Sequence, residues 1–168
     1  MSLLYGLGGS TNLSEIASQI AGLQDNTLLY LATFLIIAGL CFKIAAVPFH
    51  MWVPDAYEGA PTSITAFMSV AVKAAAFAIF LRIIFVVFAD SREMYSFVLA
   101  VIAMITITWG NVAAIIQPNI KRLLAYSSIA HAGFILMGVV VGTRSGVTAV
   151  AIYLLAYTFM NLGAWAVM

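Results

Sequence analysis

Charge is what this sequence has least of. Of its 168 residues, 8% are Asp, Glu, Lys or Arg, where an ordinary globular chain carries about 25%. So few polar groups cannot cover a soluble domain of this length. Disorder is excluded by the same figure, because a disordered chain needs low hydrophobicity and high charge. Seven basic and six acidic residues leave a net charge of +1, so no basic field exists to hold nucleic acid. The single cysteine, Cys41, sits in an apolar run. It cannot form an internal disulfide and says nothing about redox compartment. Cysteine pairs, histidines at metal-ligand spacing and a glycine-rich phosphate loop are missing too. Zinc, thiol-redox and phosphate chemistry therefore have no motif here. The chain is expected to hold no cofactor and no metal.

What is present is apolar. Hydrophobic residues make up 64% and the mean hydropathy is +1.10. The expectation is an all-α, polytopic membrane bundle, with residues 1–168 forming a single membrane domain in a lipid bilayer. Strands are not expected, because open strands cannot span lipid. Membrane helices are predicted over 28–57, 61–88, 95–117, 119–141 and 147–168. Their connectors are short, so sequence neighbours should run antiparallel. Residues 10–27 read differently. Asn12 and Glu15 have capping-box spacing, and Leu13, Ile16, Ala17, Ile20 and Leu23 recur at helical intervals, with Gln19, Gln24 and Asp25 between them. This pattern predicts an interfacial amphipathic helix of about four turns. Residues 1–8 are too short to span and lack a basic flank, so they read as the tail of a preceding span. The far end stops inside an apolar run. Both ends look cut. The positive-inside count is two against two, Arg92 and Arg144 against Lys121 and Arg122, and gives no orientation.

All six acids, Glu15, Asp25, Asp55, Glu58, Asp90 and Glu93, fall outside the deep membrane. Lys43 and Lys73 do not. Each lies next to the midpoint of its predicted helix, and His131 lies near the middle of a third. A basic side chain at a helix centre costs roughly 2.5–3.5 kcal/mol on insertion scales. Desolvation makes a buried lysine able to release its proton, and a histidine does so with little tuning. Three such groups at one depth are the raw material of a proton relay. Each also has a plainer reading. A lysine can sit in fixed contact with a neighbour's carbonyls, and a neutral histidine can bridge two helices. Arg82 is about 13–14 Å along the axis from Lys73 and is expected to reach the interface. Lys121 and Arg122 flank a helix start and read as anchors. Thr65, Ser69, Thr106, Thr108, Asn111, Ser127, Ser128 and Asn161 could hold water between titratable groups, or bond their own backbone.

Pro48 should break the first membrane helix. Its missing N–H deprives the Ile44 carbonyl of a partner, beside Lys43. His50 and Trp52 follow in the same stretch, with His50 read as interfacial rather than a ligand.

The run from Lys43 to Thr62, KIAAVPFHMWVPDAYEGAPT, closely resembles the antiporter-like, proton-pumping membrane subunits of respiratory complex I. NIKRLLAYSSIAHAGF, from Asn119 to Phe134, resembles a second signature of the same family. YEGAP, from Tyr57 to Pro61, is similar to the N-type branch (mitochondrial subunit 2 type), although Ser63 departs from the proline often found there. The likeness covers nearly the whole chain. It implies that Lys43 is the gated lysine of a broken helix, with a counter-ion, and that Lys73 is the central lysine. His131 would extend the path. His50, Asp55, Arg82, Lys121 and Arg122 would be gating or interfacial groups. The family also has a glutamate on an earlier helix and a later broken helix, and neither is in this chain. The resemblance thus implies an internal piece of a longer subunit of a translocating NADH:quinone oxidoreductase, with no redox step in this chain. Its partners would be the other membrane subunits and the rest of its parent chain. A bacterial plasma membrane is the first expectation, with an organellar inner or thylakoid membrane as the alternative. A subunit of a multi-subunit sodium/proton antiporter, or a structural membrane scaffold, remains a rival.

Overall fold

A computed structural model describes residues 2–21, 23 and 26–168. Gln24 and Asp25, placed above on the interfacial helix, lie outside the described residues, as does the side chain of Asp90. The described residues form eight helices and no strand: α1 Ser2–Gly8, α2 Leu13–Ile20, α3 Thr27–Ile44, α4 Trp52–Gly59, α5 Thr62–Val87, α6 Arg92–Ile115, α7 Ile120–Val141 and α8 Arg144–Ala166. Five of them, α3 and α5 to α8, are long and apolar enough to cross a membrane. At 18 to 26 residues each, they cover a hydrocarbon core of about 30 Å.

Polar residues punctuate the apolar runs. Asn26 caps α3 by accepting from the Leu28 N–H at 2.8 Å, and Asn119 caps α7 by accepting from Lys121 N–H at 2.9 Å. Thr143 does the same for α8 through Gly146. Each satisfies an amide that the first helical turn leaves without a partner. Helix α7 stops at Gly142, whose φ of +64° suits glycine. The Arg92 guanidinium lies against that turn and donates to the Val141 carbonyl at 2.6 Å.

Three expectations change. Among the described residues the amphipathic helix covers Leu13–Ile20, two turns, and Leu23 beyond its end packs on the core. Ile16 and Ile20 are buried, and Leu13 packs against the same core. Asn12 does cap it, but Glu15 is held by the Ser10 hydroxyl and the Asn12 amide rather than by the Asn12 backbone. The first membrane segment is not one helix to residue 57. It ends at Ile44, and Ala45 takes the left-handed conformation, φ 66°. The discontinuity expected at Pro48 is therefore present, but it opens three residues earlier. The Ala46 N–H closes the end by donating to Cys41 O at 2.8 Å. Finally, α5 contains two π-helical turns, Met68–Val72 and Ile83–Val87, which no composition change marks.

Helices α6 and α7 make the most extensive contact. Gly110 on α6 faces the Ala130 backbone, and Gly133 on α7 faces Ala103 and Ile107. Small residues permit this approach where lipid gives no hydrophobic drive between helices. The main core fills the space among α1, α2, α3, α5, α6, α7 and α8, from Leu4 and Leu29 to Phe77, Leu99, Leu136 and Val150. A smaller cluster of Ala45, Val53, Tyr57, Ala125, Ile129 and Trp165 seats α4 against α7 and α8.

Candidate functional site

Lys73 starts the turn after the first π segment of α5 and is 3% exposed. Its ammonium donates to the Ser128 carbonyl at 2.6 Å and to Ser128 Oγ at 2.5 Å, both on α7. Tyr157 on α8 donates to the same Ser128 Oγ at 2.9 Å, and its ring centre lies 5.9 Å from Lys73 Nζ. Asn161, one turn further along α8, donates to Tyr157 Oη and to Ser69 Oγ of α5. Three membrane helices thus meet in one buried polar network. The partners of the ammonium are neutral. Among the described residues both ion pairs belong to Arg122.

His131 stands three residues after Ser128, so it lies on the same face of α7. Its Nδ1 is 2.7 Å from Tyr153 Oη, and its ring centre is 5.3 Å from that of Tyr157. Tyr157 therefore touches the surroundings of both Lys73 and His131. Lys43 does not join them: it is exposed in the last turn of α3. Of the three groups that the sequence places at one depth, the structure brings two together.

The break after Lys43 is braced by α6 and by its own aromatics. Val47 N–H donates to Thr106 Oγ1 at 3.0 Å, and Trp109 Nε1 donates to His50 Nε2 at 2.9 Å. Trp52 Nε1 reaches back to the Phe42 carbonyl at 3.2 Å. His50, expected at the interface, is 5% exposed, because these bonds draw the loop onto α6. With Nε2 accepting, Nδ1 carries the proton. Thr106→Val keeps the shape but leaves the Val47 N–H without an acceptor. An orphaned buried donor costs about 1–3 kcal/mol. We expect a lower thermal midpoint for the purified full-length protein with Thr106→Val, and near-normal stability with Thr106→Ser.

Asp55 and Glu58 of the first sequence signature meet Lys121 and Arg122 of the second at the start of α7. Arg122 Nη1 lies 2.8 Å from Asp55 and 2.8 Å from Glu58, both on α4. Asn119 donates to Glu58 at 2.7 Å, and Lys121 Nζ donates to the Ala60 carbonyl at 3.0 Å. These residues tie α4 to α7. Because Asp55 is exposed, the pairs are screened and weak. Arg122→Gln should leave thermal stability nearly unchanged, and a large drop in the melting temperature would contradict that. Arg82 is exposed. No group of three or more metal-binding side chains occurs among the described residues.

Of the hydroxyls and amides named from the sequence, Thr108 and Asn111 bond only their own helix. Ser69, Ser128 and Asn161 enter the Lys73 network. Sequence reasoning missed Tyr153 and Tyr157. The signal was there: Tyr153, Tyr157 and Asn161 recur every four residues, a polar stripe on one face of an otherwise apolar helix.

These features define a class: a helical integral membrane protein with an interrupted span and a buried lysine held by neutral groups from two other helices. The chain belongs to the family described as NADH:quinone oxidoreductase/Mrp antiporter, TM, which matches residues 1–168. It is 54% identical over 167 residues to NADH-quinone oxidoreductase subunit N 2 of Solibacter usitatus, covering 99% of this chain and 34% of that protein. Among solved structures it is similar to a chain of respiratory complex I from Thermus thermophilus with bound aureothin. There the TM-score is 0.80 and the identity 41%, over 98% of this chain and 34% of that one. It is also similar to a chain of the Mrp complex from a Dietzia species, with TM-score 0.86 and 29% identity, over 98% of this chain and 30% of that one. The chain spans about a third of the length of the curated relatives it matches.

Proposed function

We propose that this chain is part of the antiporter-like N subunit of a membrane NADH:quinone oxidoreductase, and that it carries protons across the bilayer through Lys73. The observation that carries the reading is the burial of Lys73 among neutral partners. An ammonium kept only to hold helices together would be far better stabilised by a buried carboxylate. Among the described residues no carboxylate is paired with it, so the lysine can exist charged or neutral, and a relay needs both states. His131, beside Tyr157, is the next proton carrier, joined through water. Lys43, exposed at the helix break, takes its counter-ion from a residue outside this chain. Electron transfer and quinone chemistry belong to other subunits, which with the remainder of the parent chain are its partners. The membrane is a bacterial plasma membrane or a thylakoid membrane.

The sodium/proton antiporter alternative shares the fold, since the Mrp chain superposes as well as the complex I chain. Sequence identity favours the oxidoreductase, at 41% against 29%. Deleting the gene should abolish NADH-driven proton uptake by inverted membrane vesicles, and the full-length gene should restore it. Sodium/proton exchange that needs the gene but not NADH would overturn the assignment in favour of the antiporter.

A further inference from the structure

The polar chain behind Lys73 has a direction that its chemistry fixes. The Ser69 hydroxyl donates to the Ala66 carbonyl at 2.9 Å. With its only proton used there, Ser69 Oγ can only accept from Asn161, 2.8 Å away. The Asn161 atom facing it is therefore the NH2 group. The same nitrogen lies 3.0 Å from Tyr157 Oη and donates its second proton to it. The Tyr157 proton must then point the other way, to Ser128 Oγ at 2.9 Å. Ser128 Oγ still has its own O–H and a second lone pair, and Lys73 Nζ is 2.5 Å away.

We propose that Asn161 is a positioning residue for proton transfer at Lys73: by fixing the direction of the Asn161–Tyr157–Ser128 chain, it makes Ser128 Oγ a partner for both protonation states of the lysine. This rests on the relay reading of Lys73. Toward the ammonium, Ser128 Oγ accepts an N–H. When the lysine gives up a proton, one N–H bond breaks, its electron pair stays on Nζ, and the proton passes to a water on the path. Ser128 O–H then turns and donates to that lone pair. A remaining N–H stays on the Ser128 carbonyl. Only a hydroxyl proton reorients, so Nζ and Ser128 Oγ stay hydrogen-bonded to each other in both states. Donation from Tyr157 polarises the Ser128 O–H and strengthens it as a donor.

The titratable groups around Lys73 are few. Tyr157 of α8 presents its ring, His131 of α7 lies against the same Tyr157 ring, and Tyr57 of α4 packs with Ala125 and Ile129 of α7, the two residues that flank Ser128 by one to three positions. Among the described residues no carboxylate is paired with Lys73. Asn161→Asp reverses the chain, because a carboxylate only accepts: Tyr157 turns its proton away from Ser128, and the added anion favours the ammonium.

The test is the pH profile of NADH-driven proton pumping in the assembled complex carrying the full-length chain. Asn161→Asp should move the optimum up by about one pH unit and slow pumping at neutral pH at least about fivefold. Tyr157→Phe, which removes one oxygen and keeps the shape, should move it the same way by less. A merely structural role would lower the rate alike at every pH. If Asn161→Asp fails to assemble, Tyr157→Phe decides alone. Lys73→Ala runs alongside: loss of pumping there, with unshifted optima in the variants that assemble, overturns this inference and leaves the relay reading standing. Normal pumping by Lys73→Ala overturns both.

Discussion

Replacing Lys73 by alanine in the full-length subunit should cut NADH-driven proton pumping at least about tenfold, equivalent to about 1.4 kcal/mol or more of barrier, while the complex still assembles. Both halves of that expectation follow from the same contacts. Lys73 donates to the Ser128 carbonyl and hydroxyl and to nothing anionic among the described residues. Removing it therefore leaves no stranded buried charge, the usual reason for collapse when one partner of an ion pair is deleted. The Ser128 hydroxyl keeps its donor, Tyr157. What is lost is the amine bonded to Ser128, and with it the central proton carrier. Lys73→Arg should rescue poorly, because a guanidinium does not deprotonate and its planar fork does not fit a site shaped around one nitrogen. Native-gel assembly and acidification of inverted vesicles, measured on the same preparation, separate loss of the subunit from loss of the relay. Normal pumping by the alanine variant would remove Lys73 from the path.

Much of this architecture is legible before any coordinates. Spans are readable because lipid forces each helix to satisfy its own backbone, so length and hydropathy nearly suffice. The break was legible from Pro48, yet its opening was not. Ala45 adopts a positive φ, which a non-glycine residue rarely does, and no local rule selects an alanine for that. The two π turns of α5 leave no trace because their residues, MSVAV and IIFVV, match an ordinary apolar helix. Lys73 announced itself as a lone charge at mid-helix. Its partners did not, because Ser69, Ser128, Tyr157 and Asn161 are scattered over 92 positions of sequence. Hydropathy says which residues face lipid or protein, but not which helix stands opposite which. The burial of His50 is hidden for the same reason. Its burial depends on Trp109, 59 residues away.

The contact between α6 and α7 gives the largest structural expectation. Gly110→Ala should sharply lower the amount of the full-length subunit in membranes and block its assembly. Two effects compete. Alanine is the better helix former by about 1 kcal/mol, so in an open helix the change would stabilise. Here a methyl on Gly110 would sit 2.6 Å from the Ala130 nitrogen and 2.9 Å from its Cα. Those are backbone atoms, which cannot swing aside as a side-chain tip can. The helices must separate, and the loss spreads along an interface that also brings Gly133 against the Ile107 nitrogen and the Ala103 carbonyl. Overpacking of this kind costs about 1–3 kcal/mol or more, which outweighs the propensity gain. Truncating the neighbour by Ala130→Gly should not rescue the variant, because the two shortest contacts are with main-chain atoms. Gly39→Ala is the control. A methyl there meets nothing within 4 Å in this chain, so it should be neutral or slightly stabilising. Immunoblots of membranes and native gels of the three variants read the result. Wild-type levels of Gly110→Ala would mean that α6 and α7 do not approach this closely, and the register that places Ser128 and His131 on the face toward α8 would have to be redrawn.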